Sequence, residues 1–539
     1  MTSQQAPGEI AVVSESRRNL VLTVVCLALV LVMAGVAMLN LALPSIARDL
    51  GASQSQQQWI IDGYTVVLAA LLLPLGALGD RLGRRPMLLT GIAVFGLAAV
   101  PSAMVHTTGM LIALRALSGV GAAMIMPATL ATITNVFPAE ERAKAVGVWA
   151  GFAGIGAIIG LLVSGFLLEH FWWGSLFVVT AIAAVVAFVL SWLLVPDTKD
   201  PAHAHLDPPG SLLSIIGIGG LVLGIIEGPE RGWTASLTVG GFVVGGAAIV
   251  AWVLWSLRAD KPLLDFRLFA LPGFSAGTMS LFAQFFALFG LFLIVMQFLL
   301  LILGYGTWTA AVSLAPMAAV ILPVAVLAGL LAHRFGQRLL GMVGLSVCAA
   351  GFGVLATMSA DSGYWHLFAG LIVVGVGMAL AMTPATDAVV GSLPPAKQGV
   401  ASAVNDAARE LGAAFGIAVL GSAFNAGYRN DITRTLAGLP PEAAKAAKES
   451  PAAAFGVAQQ LGEPGTSLIA AVRDAFMTGT RYALVAGATM LVLGALIVAW
   501  RAPRHDQDPE VTLHDALGDA LSGTEGVPAG NAADPAVAH

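Results

Sequence analysis

The chain has 539 residues, of which 58% are hydrophobic and only 11% are charged, and its formal net charge is -5. The charged fraction is less than half that of an ordinary soluble protein, and a water-facing fold could not hide so much apolar surface. The composition excludes a soluble globular protein and predicts a protein of the lipid bilayer. The small net charge and the scattered basic residues give no indication of a nucleic-acid partner.

Apolar runs long enough to cross a membrane recur along the whole chain. A helix of about 20 residues spans the hydrocarbon core, and windows of that length predict an all-α integral membrane protein with fourteen spans. The predicted spans are residues 20–41, 59–78, 87–105, 110–133, 145–168, 175–195, 211–227, 237–257, 274–300, 309–331, 339–358, 366–390, 400–424 and 479–500. The first run is too long for the core of a cleaved signal, so we predict an uncleaved anchor.

The basic residues are divided unequally between the two sides of the membrane. If the N-terminus is cytoplasmic, the inside segments carry sixteen Lys and Arg residues and the short outside loops carry two. Because Lys and Arg accumulate in cytoplasmic loops, both termini are predicted to be cytoplasmic. Residues 425–478 then form a long extracellular segment, and the acidic residues 502–539 form a cytoplasmic tail that is predicted to be disordered.

The sequence contains no pattern that predicts catalysis, a cofactor or a metal site. Cys26 and Cys348 lie far apart in apolar runs, which predicts core packing and no disulfide. The chain has no Gly-Lys dipeptide and therefore no phosphate-binding P-loop. The glycine run GFAGIGAIIG lies inside an apolar span without a preceding strand, which indicates helix packing. The histidines His203 and His205 could bind a metal weakly, but a solvated loop is the favoured interpretation.

A basic, glycine-containing turn follows the second span and returns later in the chain. The stretch GALGDRLGRR, residues 76–85, matches GLLAHRFGQR, residues 329–338, at five positions displaced by 253. Three further matches have displacements of 256 or 257. They pair Gly119 and Gly121 with Gly375 and Gly377, Pro138 and Ala139 with Pro395 and Ala396, and Gly156, Gly160 and Gly165 with Gly412, Gly416 and Gly421.

These repeats predict two related halves of six spans, residues 19–196 and 266–501, separated by residues 197–265 with two additional spans. Residues 1–18 form a short cytoplasmic tail. Two parallel halves around a central cavity are the architecture of carriers that work by alternating access. The spaced glycines of spans five and thirteen are predicted to be sites of close helix packing.

The turn at residues 76–85 resembles the cytoplasmic-loop signature of the major facilitator superfamily. The arrangement of six, two and six spans is similar to the fourteen-span drug:proton antiporter family within it. The likeness covers about residues 19–501 and includes the segments LNLALPSIARDL, RALSGVGAA and ASAVNDAARELGAAFGIAVLGS. This resemblance implies a major facilitator fold and secondary active transport.

The residue types of the turn suggest a conformational switch. Gly76 and Gly83 permit close helix approach and a tight reversal. Asp80 and the three arginines are predicted to form a charge cluster with Glu140, Glu141 and Arg142 that holds the outward-facing state; these arginines are Arg81, Arg84 and Arg85. The alternative is a stop-transfer anchor whose arginines only set the topology.

Ionisable residues inside spans are costly and by default face a cavity. Asp62 in span two and Arg115 in span four have similar predicted depths and could form a pair that exchanges partners when a proton arrives, or a static structural pair. Asp387 in span twelve is a weaker candidate, because its predicted position is close to the cytoplasmic interface.

Span thirteen carries the densest group of ionisable residues. Asp406, Arg409 and Glu410 lie on one helical stripe, since offsets of three and four share a face. Two carboxylates beside an arginine cannot both be ionised cheaply in a low-dielectric cavity, which favours a proton carrier or a site for a cationic substrate. The alternative is a solvated stripe near the inner mouth.

Two spans depart from the pattern of the family that the chain resembles. Its members commonly carry an acidic residue and a threonine in span one, where this chain has Gly35 and Ala37. In span five, Leu161 and Ser164 replace a proline and a glycine of the family motif. Proton coupling is therefore expected to depend on Asp62 and span thirteen.

Taken with the resemblance, the sequence predicts a monomeric exporter in the cytoplasmic membrane that uses proton entry to expel hydrophobic or amphipathic compounds. It predicts no enzyme activity. One alternative is a dedicated exporter of a single metabolite or lipid-like compound, and another is a transporter-like sensor that moves no substrate.

Overall fold

The computed structural model describes residues 15–52, 54–197, 207–393, 397–436, 441–460 and 465–503. The described residues form seventeen α-helices, with one 3₁₀ helix at Phe266–Ala270 and one π-helix at Phe298–Ile302. The predicted disordered tail from residue 504 onward and the histidines of residues 203–205 lie outside the described residues. The helices are α1 Glu15–Leu50, α2 Gln54–Leu82, α3 Arg84–Ser102, α4 Thr108–Val136, α5 Ala139–His170, α6 Ser175–Leu194, α7 Pro208–Arg231, α8 Ser236–Ser256, α9 Pro272–Gln297, α10 Thr307–Val312, α11 Ala315–Phe335, α12 Gln337–Ala356, α13 Tyr364–Gly391, α14 Gln398–Ile432, α15 Pro441–Glu449, α16 Pro451–Gln460 and α17 Gly465–Arg501.

Fourteen segments of the described chain are long and apolar enough to cross a membrane, which confirms the predicted number of spans. Helices α1 to α9 supply the first nine, α9 continuing through the π-helix to Ile302. The tenth combines α10 and α11, and α12, α13, α14 and α17 supply the rest. An all-helical fold is expected here, because a helix satisfies its own backbone hydrogen bonds where water is absent.

Glycines bring corresponding helices of the two repeats together in the same way. A Cβ atom at Gly156 or Gly160 of α5 would lie 2.6 to 2.7 Å from atoms of Met33 or Ala34 on α1. In α14, a Cβ at Gly412 would lie 2.5 Å from the Phe282 carbonyl oxygen on α9, and one at Gly416 would overlap the Phe286 carbonyl oxygen. Both helix pairs can pack this closely only because these positions lack side chains.

The two remaining spaced glycines are not in such tight contact. A Cβ at Gly165 or at Gly421 would have its nearest neighbour at 3.4 Å, which is an ordinary van der Waals distance. A small side chain would therefore fit at the third glycine of each set, so the packing there does not require glycine. Gly165 lies against Trp308 and Ala311 of α10, whereas Gly421 meets the Leu293 side chain of α9.

The two repeated turns also share a backbone conformation. Gly83 separates α2 from α3 with φ of 105°, and Gly336 separates α11 from α12 with φ of 81°. A left-handed φ is readily available only to glycine, which explains why both turns are one residue long. In each turn, the arginine two residues after the glycine donates a hydrogen bond to a backbone carbonyl near the C-terminus of another helix. Arg85 donates to Trp192 of α6, and Arg338 donates to Ala499 of α17.

The two inserted spans, α7 and α8, are held at one end by Asp207. Its carboxylate accepts hydrogen bonds from the Gly210 and Leu263 amides, both at 2.9 Å, and from Trp255 Nε1 at 3.0 Å. Asp207 therefore caps the N-terminus of α7. It also binds the segment that connects α8 to α9.

The last two spanning helices extend well beyond the predicted spans 400–424 and 479–500. Helix α14 continues to Ile432 and α17 begins at Gly465, so much of the segment 425–478 is helical and includes α15 and α16. The Tyr428 hydroxyl of α14 donates to the Ala447 carbonyl of α15 at 2.8 Å. The short helices are thus fastened to the long ones.

Candidate functional site

Helix α14 carries two of the candidate residues into the interior as an ion pair. Arg409 Nη1 lies 3.5 Å from Asp406 Oδ1, and only 2% of Arg409 and 0% of Asp406 are exposed. Asn405 Nδ2 donates to the same Asp406 oxygen at 3.2 Å. The offset of three residues, which the sequence shows, is what allows the two charges to meet on one helical face.

Aromatic rings from two other helices enclose the Arg409 guanidinium. Its Cζ atom lies 5.0 Å from the ring centroid of Trp149 on α5 and 4.5 Å from that of Phe285 on α9. Arg409 Nη2 also lies 3.6 Å from Met382 Sδ on α13. A cation is attracted to the face of an aromatic ring, more strongly when both are desolvated. We refer to Trp149, Phe285, Met382, Asp406 and Arg409 as the arginine cage.

The arginine cage joins the two repeats of the chain. Trp149 belongs to the first six spanning helices, whereas the other four residues belong to the last six. Trp149 is itself fixed, because its Nε1 atom donates to Thr129 Oγ1 of α4 at 3.1 Å. A movement of one repeat relative to the other must therefore change the surroundings of Arg409.

Several polar atoms around the cage lack a hydrogen-bond partner among the described residues. They are Ser402 Oγ, Asn405 Oδ1, Asp406 Oδ2 and Arg409 Nε, all on α14. Each such buried atom costs roughly 1–3 kcal/mol, and native proteins keep few of them. The stripe therefore has unused capacity for a proton, for water or for polar groups of a ligand.

Glu410, the third candidate on α14, has a different environment from Asp406. Its side chain is partly exposed. It is near enough to Asp406, to Arg409 and to Tyr64 of α2 to interact with them electrostatically. The two carboxylates are thus electrostatically coupled, but only Asp406 is enclosed.

The described contacts of Arg115 are with residues of α2 other than Asp62, its predicted partner. Arg115 Nε donates to the Ile60 carbonyl at 3.2 Å, and its guanidinium lies 4.3 Å from the ring centroid of Tyr64. Residues two apart on a helix point in directions about 200° apart, so Asp62 faces away from the side of α2 that holds Ile60 and Tyr64. Arg115 nevertheless connects α4 to α2, through the Ile60 carbonyl and the Tyr64 ring.

Asp80 of the repeated turn contacts the second half of the chain directly. Its Oδ1 accepts from the Gly399 amide at 2.8 Å and its Oδ2 from the Val400 amide at 3.3 Å, both in the first turn of α14. Arg84 Nη2 lies 3.4 Å from the same carboxylate, and both side chains are buried. An acidic side chain at a helix N-terminus satisfies free amides and interacts favourably with the helix dipole.

Close packing accompanies this contact. A Cβ atom at Gly76 would lie 2.7 Å from Ala403 Cβ and 2.7 Å from the Gly399 carbonyl oxygen. Helix α2 can therefore approach α14 only because Gly76 has no side chain. We call Gly76, Asp80, Arg84, Gly399 and Val400 the α2–α14 contact.

The acidic residues that were predicted to join the charge cluster lie in the first turn of α5, and one of them has a different described partner. Glu141 Oε1 accepts from Arg18 Nη2 of α1 at 2.9 Å, while the Glu140 side chain lies outside the described residues. Arg81 is exposed. Sequence reasoning thus found Asp80 and Arg84 but missed the N-terminus of α14 as their partner.

Asp387 lies apart from the arginine cage. Its Oδ2 atom accepts from Gln337 Nε2 at 2.7 Å, which links α13 to the beginning of α12. It is five residues beyond Met382, or about 7 Å along the helix axis. Its position near the second turn, Gly336, agrees with the expectation that it lies toward one end of the span.

Fourteen spans in two similarly packed repeats, joined around a buried polar stripe, define a multi-pass membrane carrier. The sequence model of the Major Facilitator Superfamily matches residues 25–417. This chain belongs to that family.

Curated relatives match over nearly the whole chain. The multidrug efflux pump LfrA of Mycolicibacterium smegmatis is 35% identical over 485 residues, covering 90% of this chain and 96% of LfrA. The methyl viologen resistance protein SmvA of Salmonella typhimurium is 33% identical, covering 89% of this chain and 97% of SmvA. The crystal structure of the human organic anion transporter MFSD10 shares the fold with a TM-score of 0.62 at 14% identity, covering 89% of this chain and 99% of that one.

Three members of the arginine cage were not among the sequence candidates. Trp149, Phe285 and Met382 lie on three different helices and resemble other apolar residues of their spans. A lone tryptophan inside the glycine-rich fifth span was the only available signal. Helix packing, which the sequence does not display, brings these side chains to Arg409.

Proposed function

We propose that this protein exports hydrophobic or amphipathic drugs across the cytoplasmic membrane in exchange for protons. Both termini are cytoplasmic, the working unit is a monomer, and the protein needs no cofactor and catalyses no chemical reaction. The names of the relatives support drug export, since LfrA is called a multidrug efflux pump and SmvA a methyl viologen resistance protein. The basic residues, sixteen inside and two outside, support the orientation.

The arginine cage is the observation that carries this proposal. Asp406 is a buried acid paired with a cation that is held between two aromatic rings. Protonation of Asp406 removes the charge that holds Arg409, so Arg409 can leave the rings. The freed rings then offer an apolar surface to an amphipathic compound, and Asp406 adds a negative charge beside them once it has released its proton.

Glu410 provides a second acid for the same exchange. A proton that enters at the partly exposed Glu410 changes the electrostatic potential at Asp406, since the two interact. Two coupled carboxylates titrate as a pair. Proton binding and drug binding thus alternate at one stripe of α14, as exchange transport requires.

The α2–α14 contact connects this exchange to alternating access. Asp80 holds the N-terminus of α14, the helix that carries Asp406 and Arg409. When Asp80 caps α14, the two repeats are joined at their cytoplasmic ends; opening toward the cytoplasm requires this contact to break. The contact therefore favours the state that is open to the outside.

Purified protein in proteoliposomes tests the proposal. A pH-sensitive dye inside the vesicles reports proton movement when compounds from a panel of cationic, neutral and anionic drugs are added. A proton flux induced by several amphipathic compounds is the expected result. A response to one compound alone would favour a dedicated exporter, and no response to any would favour the transporter-like sensor.

A further inference from the structure

Arg115 is a buried cation without a described counter-charge. It lies within the fourth span, and 3% of it is exposed. Its contacts are the Ile60 carbonyl at 3.2 Å and the Tyr64 ring at 4.3 Å, and its Nη2 atom has no hydrogen-bond partner among the described residues. None of the ion pairs between described side chains includes it.

This arrangement is energetically costly. A carbonyl and an aromatic ring each offer partial negative charge, but neither neutralises a guanidinium. Buried charges in proteins are paired or bound to ions, because an isolated charge in a low-dielectric interior is strongly disfavoured. An arginine side chain stays protonated in proteins, so Arg115 cannot avoid this cost by becoming neutral. A negative charge directly beside Arg115 would offset this cost.

A cavity beside Arg115 offers a place for that charge. It lies between α1, α3, α4 and α6, within the first repeat, and has room for an occupant of about the size of a water molecule. Its lining includes Gly35, Met38, Phe95, Arg115, Ser118 and Thr180. Gly35 contributes no side chain, and a Cβ there would lie 3.0 Å from Phe95 Cζ.

The lining selects the kind of occupant. The hydroxyls of Ser118 and Thr180 already donate to carbonyls of their own helices, at 3.0 and 2.7 Å. Arg115 is thus the charged residue of a lining that is otherwise apolar, aromatic or already hydrogen-bonded within its own helices. A water molecule would satisfy Nη2 without supplying charge, and phosphate or sulfate is too large and too strongly hydrated for such a space.

We propose that this cavity binds one small monovalent anion, chloride under cellular conditions, as the counter-ion of Arg115. The anion lies between Arg115 on α4 and the bare backbone of Gly35 on α1, and it stabilises the packing of the first repeat. This inference does not depend on the identity of the exported compound or on proton coupling.

The thermal unfolding midpoint of the full-length protein in uncharged detergent tests the proposal. Sodium chloride is exchanged for sodium gluconate at constant ionic strength, so screening stays the same. A ligand that binds only the folded state raises the midpoint in a concentration-dependent way. We expect a saturable rise with chloride and with bromide and none with gluconate. Equal midpoints in chloride and gluconate would overturn the proposal.

A matched pair of substitutions tests the location. Gly35→Asp places a covalent carboxylate in the cavity, and Gly35→Asn places a side chain of the same size without the charge; both must displace Phe95 equally. In gluconate, G35D should unfold at a higher temperature than G35N, and chloride should no longer stabilise G35D. Equal midpoints for the two variants in gluconate would contradict a missing negative charge at this place.

Arg115→Gln provides the third measurement. It should abolish the chloride-dependent rise, because the cation that binds the anion is gone. A chloride response that survives in R115Q would place the anion elsewhere and overturn the assignment. If R115Q does not fold, the comparison of G35D with G35N still tests the location of the anion, because both of these variants keep Arg115.

Discussion

Asp80 on α2 accepts a hydrogen bond of 2.8 Å from the backbone amide of Gly399, at the beginning of α14. The two residues are 319 positions apart and belong to different repeats. A Cβ at Gly399 would lie 2.6 Å from Asp80 Oδ1, so the bond also depends on glycine at this place. The signature turn of the first repeat thus holds the helix that carries the buried ion pair of the second.

The first prediction concerns this bond. Asp80→Ala removes the cap of α14, which typically costs about 0.5–2 kcal/mol, and should reduce drug efflux several-fold because it shifts the balance between the two open states. Asp80→Asn keeps an acceptor and should have a smaller effect. Efflux normalised to protein abundance in the membrane is the measurement, with the exposed Arg81→Ala as the control. A fall in abundance that accounts for the whole loss of efflux would support a topology anchor instead.

The second prediction concerns helix packing. Gly416→Ala places a methyl group against the Phe286 carbonyl oxygen and should lower stability by about 1–3 kcal/mol, as overpacking does. Gly421→Ala, whose Cβ has 3.4 Å to its nearest neighbour, should be close to wild type. Gly160→Ala and Gly165→Ala form the equivalent pair in the first repeat. Unfolding midpoints in detergent distinguish the variants, and equal midpoints within each pair would refute the steric argument.

The third prediction concerns the charge balance of the arginine cage. Arg409→Met leaves Asp406 buried without its partner, and breaking a buried pair in this way costs roughly 3–5 kcal/mol. The double variant Arg409→Met with Asp406→Asn removes both charges and should recover folded protein, but not transport. Abundance and unfolding midpoint are measured for the two single variants and the double variant. Additive losses would mean that the two residues do not act as a pair.

The sequence was sufficient to predict features that depend on local pattern. Span lengths predicted fourteen membrane helices, and the repeated Gly83 and Gly336 correctly indicated two equivalent tight turns. The offset of three between Asp406 and Arg409 also correctly indicated a shared helical face. All of these follow from the geometry of a single helix or turn.

Features that depend on packing between distant helices could not be predicted. The sequence places Asp62 and Arg115 at similar depths but does not show that Ile60 and Tyr64, on another side of α2, are the residues that face α4. It also does not show that Trp149 and Phe285 meet at Arg409. The depth of a residue in the membrane follows from its position along a span. The neighbouring helix that its side chain faces depends on how its own helix is rotated about the helix axis.

The central claim is that the acids of α14 exchange protons for drug. Neutralising Asp406 to Asn or Glu410 to Gln should weaken pH-driven efflux more than drug binding, because the proton carrier is lost while the aromatic rings remain. The variant with both substitutions should be no worse than the more damaging single one if the acids act as a unit. Asp62→Asn is the matched comparison, a neutralised carboxylate in another span.

Drug-induced proton flux in proteoliposomes, measured for the wild type and these variants at several pH values, tests this claim most directly. The proposed mechanism predicts that the flux is lost in Asp406→Asn, reduced and less dependent on pH in Glu410→Gln, and retained in Asp62→Asn. Wild-type flux and pH dependence in both α14 variants, together with loss in Asp62→Asn, would contradict it and assign coupling to α2.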